Sequence, residues 1–506
     1  MRKSAPQLLC LALVLFLFST NTYRAATQSI TADEAFTYNN FVWPRVFTSL
    51  STFDANNHLL YTLLAKLSVR WFGLSEFGLR VPSLMGGLLF LVSAWRLVRC
   101  LFGRGWFCLF ALTAVALNPF VLDYLSAARG YGLALGLFFW GLYLLTRYLT
   151  EDYDPPVRLL FRAGLALGLS VIANLFFLVP AVAAASVFSL VAVLGPNPAR
   201  FEDRFWHVVD RFWGPALVPP FVALVVPLTK AGLKDFYYGA RSLEEMAYSL
   251  VVPSLMHKPD VWELRRYLPR FDSWPGAAVR IVIPALSLVI LLAAARAVVR
   301  WTRTRDIRAL SAVERALLLV TATLALSFAA VVAAHARSGV LYPLRRTALY
   351  WPPLFTLASL AAIAILWRTR IPGKVLAAAG AAIMALTITL FAAGFTTDHY
   401  AEWRYDAGTK RIVNLLRELH GSNPGARVRL GVNWLFEPAL NFYRHRYHLD
   451  WIEPVTRAGP DGDYDYYVLL PKDAPAMERM HLRPLYRDAV SEATLAVPAR
   501  RSSPVD

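Results

Sequence analysis

Long apolar runs separated by short basic stretches set the pattern of this chain. The runs lie near 6–21, 82–99, 106–122, 131–149, 162–178, 180–195, 214–229, 279–298, 314–334, 347–366 and 375–394. A helix needs roughly 17 to 25 mostly apolar residues to cross a bilayer, so these runs predict an α-helical polytopic membrane protein with about eleven spans. Pro180 leaves 162–178 and 180–195 readable as two spans or as one kinked helix. After residue 395 the pattern changes. A helical stretch (TKRIVNLLRELHG), a strand-like run (RVRLGVN), a second helical stretch (FEPALNFYRHR) and a second strand-like run (YDYYVLLP) follow one another. This predicts a transmembrane part over 1–395 and a small C-terminal α/β domain over 396–506.

The polar positions between the runs are unevenly charged. With Arg2 and Lys3 in the cytoplasm, every second connection faces the cytoplasm. Those connections carry Arg96, Arg99 and Arg104; Arg147, Arg158 and Arg162; Arg200, Arg204 and Arg211; Arg296, Arg300, Arg303, Arg305 and Arg308; and Arg368, Arg370 and Lys374. Basic inner loops are the usual topology bias, so the N-terminus is expected inside. The C-terminal domain and the loops 22–81, 118–131, 230–278 and 335–346 are then expected outside. The first run also reads as a signal peptide, with a basic start, an apolar core and small residues at TYRAATQ. Either reading leaves residue 30 outside.

Composition agrees with a membrane protein. Hydrophobic residues make up 57% of the chain and charged residues 17%, against roughly 25% in a soluble domain. The net charge of +18 would suggest nucleic acid in a soluble chain. Here the basic residues sit between apolar runs, so they read as topology signals and contacts to membrane lipids, and no nucleic-acid partner is expected. Cys10, Cys100 and Cys108 lie in or beside apolar runs, which predicts no disulfide framework and shows no metal-ligand spacing.

The outer loop 22–81 holds the first candidate chemistry. ITADEAFTYNNF places Asp33 and Glu34 side by side just beyond the first run. The pair reads as a catalytic site, as a solvated loop pair, or as the cap of a helix starting at Ala35. Residues 58–72, HLLYTLLAKLSVRWF, have helical periodicity, with an apolar stripe of Leu60, Leu64, Leu67 and Trp71. His58, Thr62, Lys66 and Arg70 form a polar line on another face, with Asn56 or Asn57 as N-cap. Such a helix is expected to lie along the membrane interface.

Further along, Asp123 and Arg129 flank the mouth of the 131–149 run. They read as a second acid and a phosphate ligand, or as an interfacial arginine with its counter-ion. His335, Arg337, Arg345 and Arg346 crowd a short outer loop, where positive charge runs against the topology bias and suits a phosphate. Anchoring with Tyr342 and Tyr350 is the alternative. KAGLKDFYYGARSLEEMAYSLV, in loop 230–278, reads as a lid or as a structural interfacial helix. DGDYDYY, 461–467, has the Asp-x-Asp spacing of metal-assisted nucleotide-sugar chemistry, but its context favours strand-edge composition.

In their order along the chain these elements resemble the polytopic glycosyltransferases of the GT-C type. That group includes the protein O-mannosyltransferases and the bacterial transferases that move a sugar from polyprenyl phosphate onto lipid A. The resemblance rests on Asp33-Glu34, DANNHLLYTLLAKLSVRWFGLSEFGLRVPS (54–83), Ala128-Arg129-Gly130-Tyr131 and YPLRRTALYWPPL (342–354), and covers most of 25–370. The lipid A transferases carry Lys-Pro-Pro where this chain has Asn57-His58-Leu59, a departure that removes the lysine contact to the lipid phosphate and makes His58 a candidate substitute.

The resemblance implies inverting transfer of a hexosyl or pentosyl group from a polyprenyl-phosphate donor. The acceptor would be an envelope lipid, glycan or protein on the outer face of a bacterial inner membrane. It puts the essential carboxylate first in the pair, which makes Asp33 the base. Glu34 would position the acceptor or tune that base, and mutual repulsion is expected to raise one of the two pKa values. Asp123 is the candidate second acid. His58, Lys66, Arg129, Arg337, Arg345 and Arg346 are the candidate contacts to the donor phosphate. No cofactor is expected, and the enzyme is read as metal-independent, with a divalent cation left open. A transporter or flippase would put ionisable residues near mid-membrane and interrupt paired helices. An envelope assembly factor and a ligase using a pyrophosphate-linked glycan are the remaining readings.

Overall fold

The computed structural model describes residues 5–51, 53–150, 158–194, 201–232, 238–256, 276, 278–421 and 426–499. Each expected run falls on helix. The first eight helices are α1 (Ala5–Thr27), α2 (Ala32–Thr37), α3 (Val46–Ser51), α4 (Leu59–Phe72), α5 (Glu76–Phe102), α6 (Trp106–Ala116), α7 (Pro119–Ser126) and α8 (Gly130–Thr150). Among the described residues nine helices are long and apolar enough to span a membrane, or ten if α6 and α7 form one span.

Two runs break where the pattern did not say. The expected span 106–122 bends by 67° between α6 and α7. The restart at α7 is built locally: the Asn118 side chain accepts from the Val121 amide, and Pro119 opens the helix without missing an N–H. The second break falls at Asn174 rather than at Pro180. Helix Arg158–Ala173 stops there, and extended Asn174 caps a short turn through the Phe176 amide. Pro180 sits in the first turn of Leu178–Leu194, where an unused N–H is no loss.

α4 lies along the edge of the bundle with its faces assigned differently from the sequence pattern. Tyr61, Thr62, Ala65 and Ser68 are buried, whereas Leu67 and Trp71 are exposed. Only the C-terminal part of the apolar stripe, Leu67 and Trp71, therefore faces outward; Leu60 and Leu64 are half-buried against the core, and the small and hydroxylated residues face the protein. The N-cap position is His58, not Asn56 or Asn57, and His58 makes no side-chain cap. Asn57 instead accepts from Thr62 and donates to the Ser49 carbonyl.

α5 and α8 pack with almost no space between their backbones. A Cβ on Gly86 would lie 2.3 Å from the Leu133 Cα, and one on Gly136 would lie 2.2 Å from the Gly86 carbonyl oxygen. Close approach through small residues is how membrane helices gain packing energy without a hydrophobic driving force. This contact fixes the start of α5, with Arg80, against the start of α8, with Arg129.

The C-terminal sheet has strands β1 (Leu430–Val432), β2 (Tyr466–Leu469), β3 (Leu482–Arg487) and β4 (Thr494–Pro498), in the order β1-β2-β4-β3. β1 and β2 are parallel (Leu430 opposite Tyr466); β4 runs antiparallel to β2 and to β3. Helix Thr409–Gly421 coincides with the expected helical stretch, and Glu437–Tyr447 with the second to within a residue. The β3–β4 hairpin has no counterpart in the sequence reading. This region docks on the first outer loop: Phe442 packs edge-on against Tyr38, and the Tyr443 hydroxyl donates to Glu76 and accepts from the Ile30 amide. Of the expected lid, 230–251, residues 233–237 lie outside the described residues; its second half forms most of helix Leu243–Leu255, which buries Met246, Tyr248 and Ser249.

Candidate functional site

α2 is a short helix with a capping box. Thr31 Oγ1 accepts from the Glu34 amide, and Glu34 Oε2 accepts from the Thr31 amide at 2.8 Å. The helix thus starts at Ala32, not at Ala35. Successive helix residues point about 100° apart, so the two adjacent carboxylates separate.

Glu34 turns inward and is fully buried. Arg80 donates to both of its oxygens, at 2.8 and 2.6 Å, and the Ala128 amide donates to Oε1. Arg80 also donates to the carbonyls of Ala25, Gln28 and Ser29. The pair locks α2 to α5 and to the α7–α8 corner.

Asp33 turns the other way and keeps 29% of its side chain exposed. Its Oδ2 lies 3.3 Å from Arg346 Nη1. Arg129 is buried behind it, donating to the Asp33 carbonyl (3.1 Å), Thr37 Oγ1 (3.0 Å) and Asn56 Oδ1 (3.1 Å). Burial pushes the Asp33 carboxyl up, but Arg346 and Arg129 outweigh it and hold its pKa below the usual range. The expected mutual repulsion with Glu34 therefore does not set the Asp33 pKa, because Glu34 has turned away toward Arg80.

Arg346 is shared. It donates to Glu402 Oε1 at 2.8 Å, and its guanidinium lies 4.7 Å from the centre of the Tyr238 ring. Glu402 also receives the Tyr124 hydroxyl and lies 3.9 Å from Arg345. His58 is buried, with its ring edge-on to Tyr131 at 4.9 Å and its Nε2 lacking a hydrogen-bond partner among the described residues. Burial, with the charges of Arg129 and Arg346, holds its pKa well below the ordinary value. His58 is therefore neutral at pH 7 and cannot supply the positive charge of the lysine it stands in for. Below it lies an apolar cavity of about 130 Å³, lined in part by Leu59, Val171, Phe176, Leu224 and Leu228.

The structure thus brings Asp33, His58, Arg129, Arg345 and Arg346 together and leaves four expected residues elsewhere, the first being Glu34, which is buried against Arg80. Asp123 is buried against Arg24 and accepts from the Ala401 amide, so its counter-ion is Arg24 and not Arg129. Lys66 donates to the carbonyls of Val42 and Pro44 and borders a different cavity. Arg337 is exposed on the last turn of helix Ala312–Ser338.

Sequence reasoning missed Glu402 and Asp406. Asp406 is buried at the N-terminus of α2, where Oδ2 accepts from the Ala32 amide at 2.6 Å and Oδ1 from Thr409. Burial raises its pKa well above the carboxylate range; the Ala32 and Thr409 hydrogen bonds oppose this, and the charges of Asp33 and Glu34 add to it. The signal was HYAEWRYD, acids among aromatics directly after the last apolar run.

No protein-family model and no curated protein matches the chain. In structure it is similar to ArnT from Cupriavidus metallidurans in the apo state, with 13% identity and a TM-score of 0.50 over 98% of this chain and 99% of that one. The same protein bound to undecaprenyl phosphate gives 14% and 0.49 over the same shares. The archaeal oligosaccharyltransferase AglB from Archaeoglobus fulgidus, in complex with an inhibitory peptide and a dolichol-phosphate, gives 13% and 0.46 over 98% and 75%. At these identities the likeness is one of fold. The chain shares the polytopic helical fold of the apo structure and carries a small C-terminal sheet.

Proposed function

We propose that this protein is a membrane glycosyltransferase that moves a sugar from a polyprenyl-phosphate donor to an envelope acceptor. Asp33 is the base, and Arg346 with Arg129 meets the phosphate. One observation carries this reading: Asp33 is the partly open carboxylate of the cluster, 3.3 Å from Arg346, while Glu34, Asp123, Glu402 and Asp406 are buried.

In this reading the acceptor hydroxyl gives its proton to Asp33 as its oxygen attacks the anomeric carbon. The bond from that carbon to the phosphate oxygen breaks, and its electron pair leaves with the phosphate. A single displacement inverts the anomeric centre. Arg346 neutralises the departing charge, and Arg345 adds to the local field. Arg346 also couples donor to base: a phosphate that draws it away removes the charge holding the Asp33 pKa down. Asp33 becomes the stronger base when the donor is in place. The cavity below His58 suits the first units of the lipid chain, and neutral His58 offers a hydrogen bond rather than a charge.

The basic loops that alternate along the chain support a site on the outer face of a bacterial inner membrane. The ion pairs also speak against transport, because Arg24 lies at the end of α1 and Arg80 near the start of α5 rather than at mid-span.

The reading is tested by retention of polyprenyl phosphate on the purified full-length chain. Arg346→Gln should weaken retention about tenfold or more, the scale of one charge-assisted contact. Equal retention by both proteins contradicts the placement of the phosphate.

A further inference from the structure

Lys66 is left over from the site just described, and it borders a second cavity of about 480 Å³. The cavity lies between α4, the Tyr38–Val42 turn and helix Glu437–Tyr447, and shares no residue with the Asp33 cluster.

Its lining is rich in cations whose partners are mostly backbone oxygens. Lys66 gives two of its three donors to the carbonyls of Val42 and Pro44, which leaves one. Arg444 donates through Nε to the Ile452 carbonyl at 2.8 Å and through Nη1 to Asn441. Arg446 pairs with Glu76, which also takes Lys410 at 3.2 Å, so one carboxylate serves two cations. Asp450 is the lining carboxylate and is exposed. His448 is an exposed lining residue, and the His445 Nδ1 is buried without a hydrogen-bond partner among the described residues.

The mouth is marked by aromatics. Trp43 stacks on His445 at 5.1 Å and is 64% exposed. Tyr38 lines the cavity beside it, 6.1 Å from the Trp43 ring. An exposed Trp at the mouth of a cation-lined cavity in the first outer loop fits the level of lipid headgroups, where Trp is enriched.

We propose that this cavity is a second phosphate site that takes the headgroup of an anionic lipid at the membrane surface. Lys66, Arg444 and the unpartnered His445 nitrogen supply the donors. Trp43 covers the glycerol and first acyl carbons. The site is independent of the transfer reaction, so it is tested by binding.

The probe is dioleoyl phosphatidylglycerol, titrated onto the detergent-purified full chain and read by native mass spectrometry against phosphatidylcholine. Lys66→Gln with Arg444→Gln should weaken retention of phosphatidylglycerol by about fivefold for each cation removed. Lys66 also holds the turn at Val42, so a second variant leaves that turn alone. His448→Asp puts a negative charge at the mouth of the cavity. Residue 448 has φ of 52°, a left-handed conformation that Asp tolerates. It should weaken phosphatidylglycerol and leave phosphatidylcholine unchanged. Equal retention of the two lipids, or preference for phosphatidylglycerol that survives both variants, overturns the proposal. Binding of inorganic phosphate that the variants abolish, with no retention of lipid, overturns the lipid assignment and gives the site to a soluble phosphate.

Discussion

Glu34→Gln separates the two adjacent acids most sharply. Every contact to the Glu34 carboxylate is a donor: Arg80 Nε and the Ala128 amide reach Oε1, while Arg80 Nη2 and the Thr31 amide reach Oε2. A glutamine can turn its NH2 to either side, and on both sides it meets two N–H groups. Two hydrogen bonds are lost in either orientation. Arg80 is left charged, fully buried and without its counter-ion. Removing one member of a buried pair costs about 3–5 kcal/mol. Asp33→Asn differs on each point. Asp33 is partly exposed, and Arg346 keeps Glu402, so the cost should stay within about 1 kcal/mol. The assay is thermal unfolding of the full chain in detergent, followed by size-exclusion chromatography of what stays soluble. Glu34→Gln should unfold at a clearly lower temperature, and Asp33→Asn close to wild type. Equal stability of the two variants would refute the structural role of Glu34.

Gly130→Ala puts a Cβ 2.2 Å from the Ala173 carbonyl oxygen and 2.5 Å from His58 Cβ, so it should destabilise by about 1–3 kcal/mol in the same assay. Asp406 has a raised pKa in the folded state, so its contribution is fully present below the unfolded value near 4 and is lost as pH rises through the raised value. The stability of wild type relative to Asp406→Asn should therefore fall as pH rises above about 4 in thermal scans; a constant difference contradicts the burial argument. With arginines as the countercharge to the phosphate, transfer should persist in excess EDTA, and loss restored by a divalent ion would place a metal in the site.

What the sequence disclosed and what it hid divide by range. Spans are local, and each apolar run carries its own period. Helix Thr409–Gly421 was legible to the residue because its amphipathic face needs no partner to be seen. Breaks at Asn118 and Asn174 were not, because an asparagine cap looks like any polar residue within an apolar run. Pairing is a tertiary fact. Asp123 passes over Arg129, six residues away, for Arg24, which lies 99 residues away. Asp33 and Arg346 meet although they come from opposite ends of the membrane part. Glu402 and Asp406 were invisible as site residues because their segment read as the start of the C-terminal domain 396–506, whereas Asp406 meets the N-terminus of α2 and Glu402 meets Arg346.

The central claim is that Asp33 is the base of a lipid-linked sugar transfer. It is tested most directly by radiolabel transfer from synthetic polyprenyl-phosphate sugars in membranes carrying wild type or Asp33→Asn at matched amounts. The account predicts labelled acceptor with wild type and a loss of at least about 10²-fold in the variant, the scale of a general base. Transfer by the variant at the wild-type rate would contradict it.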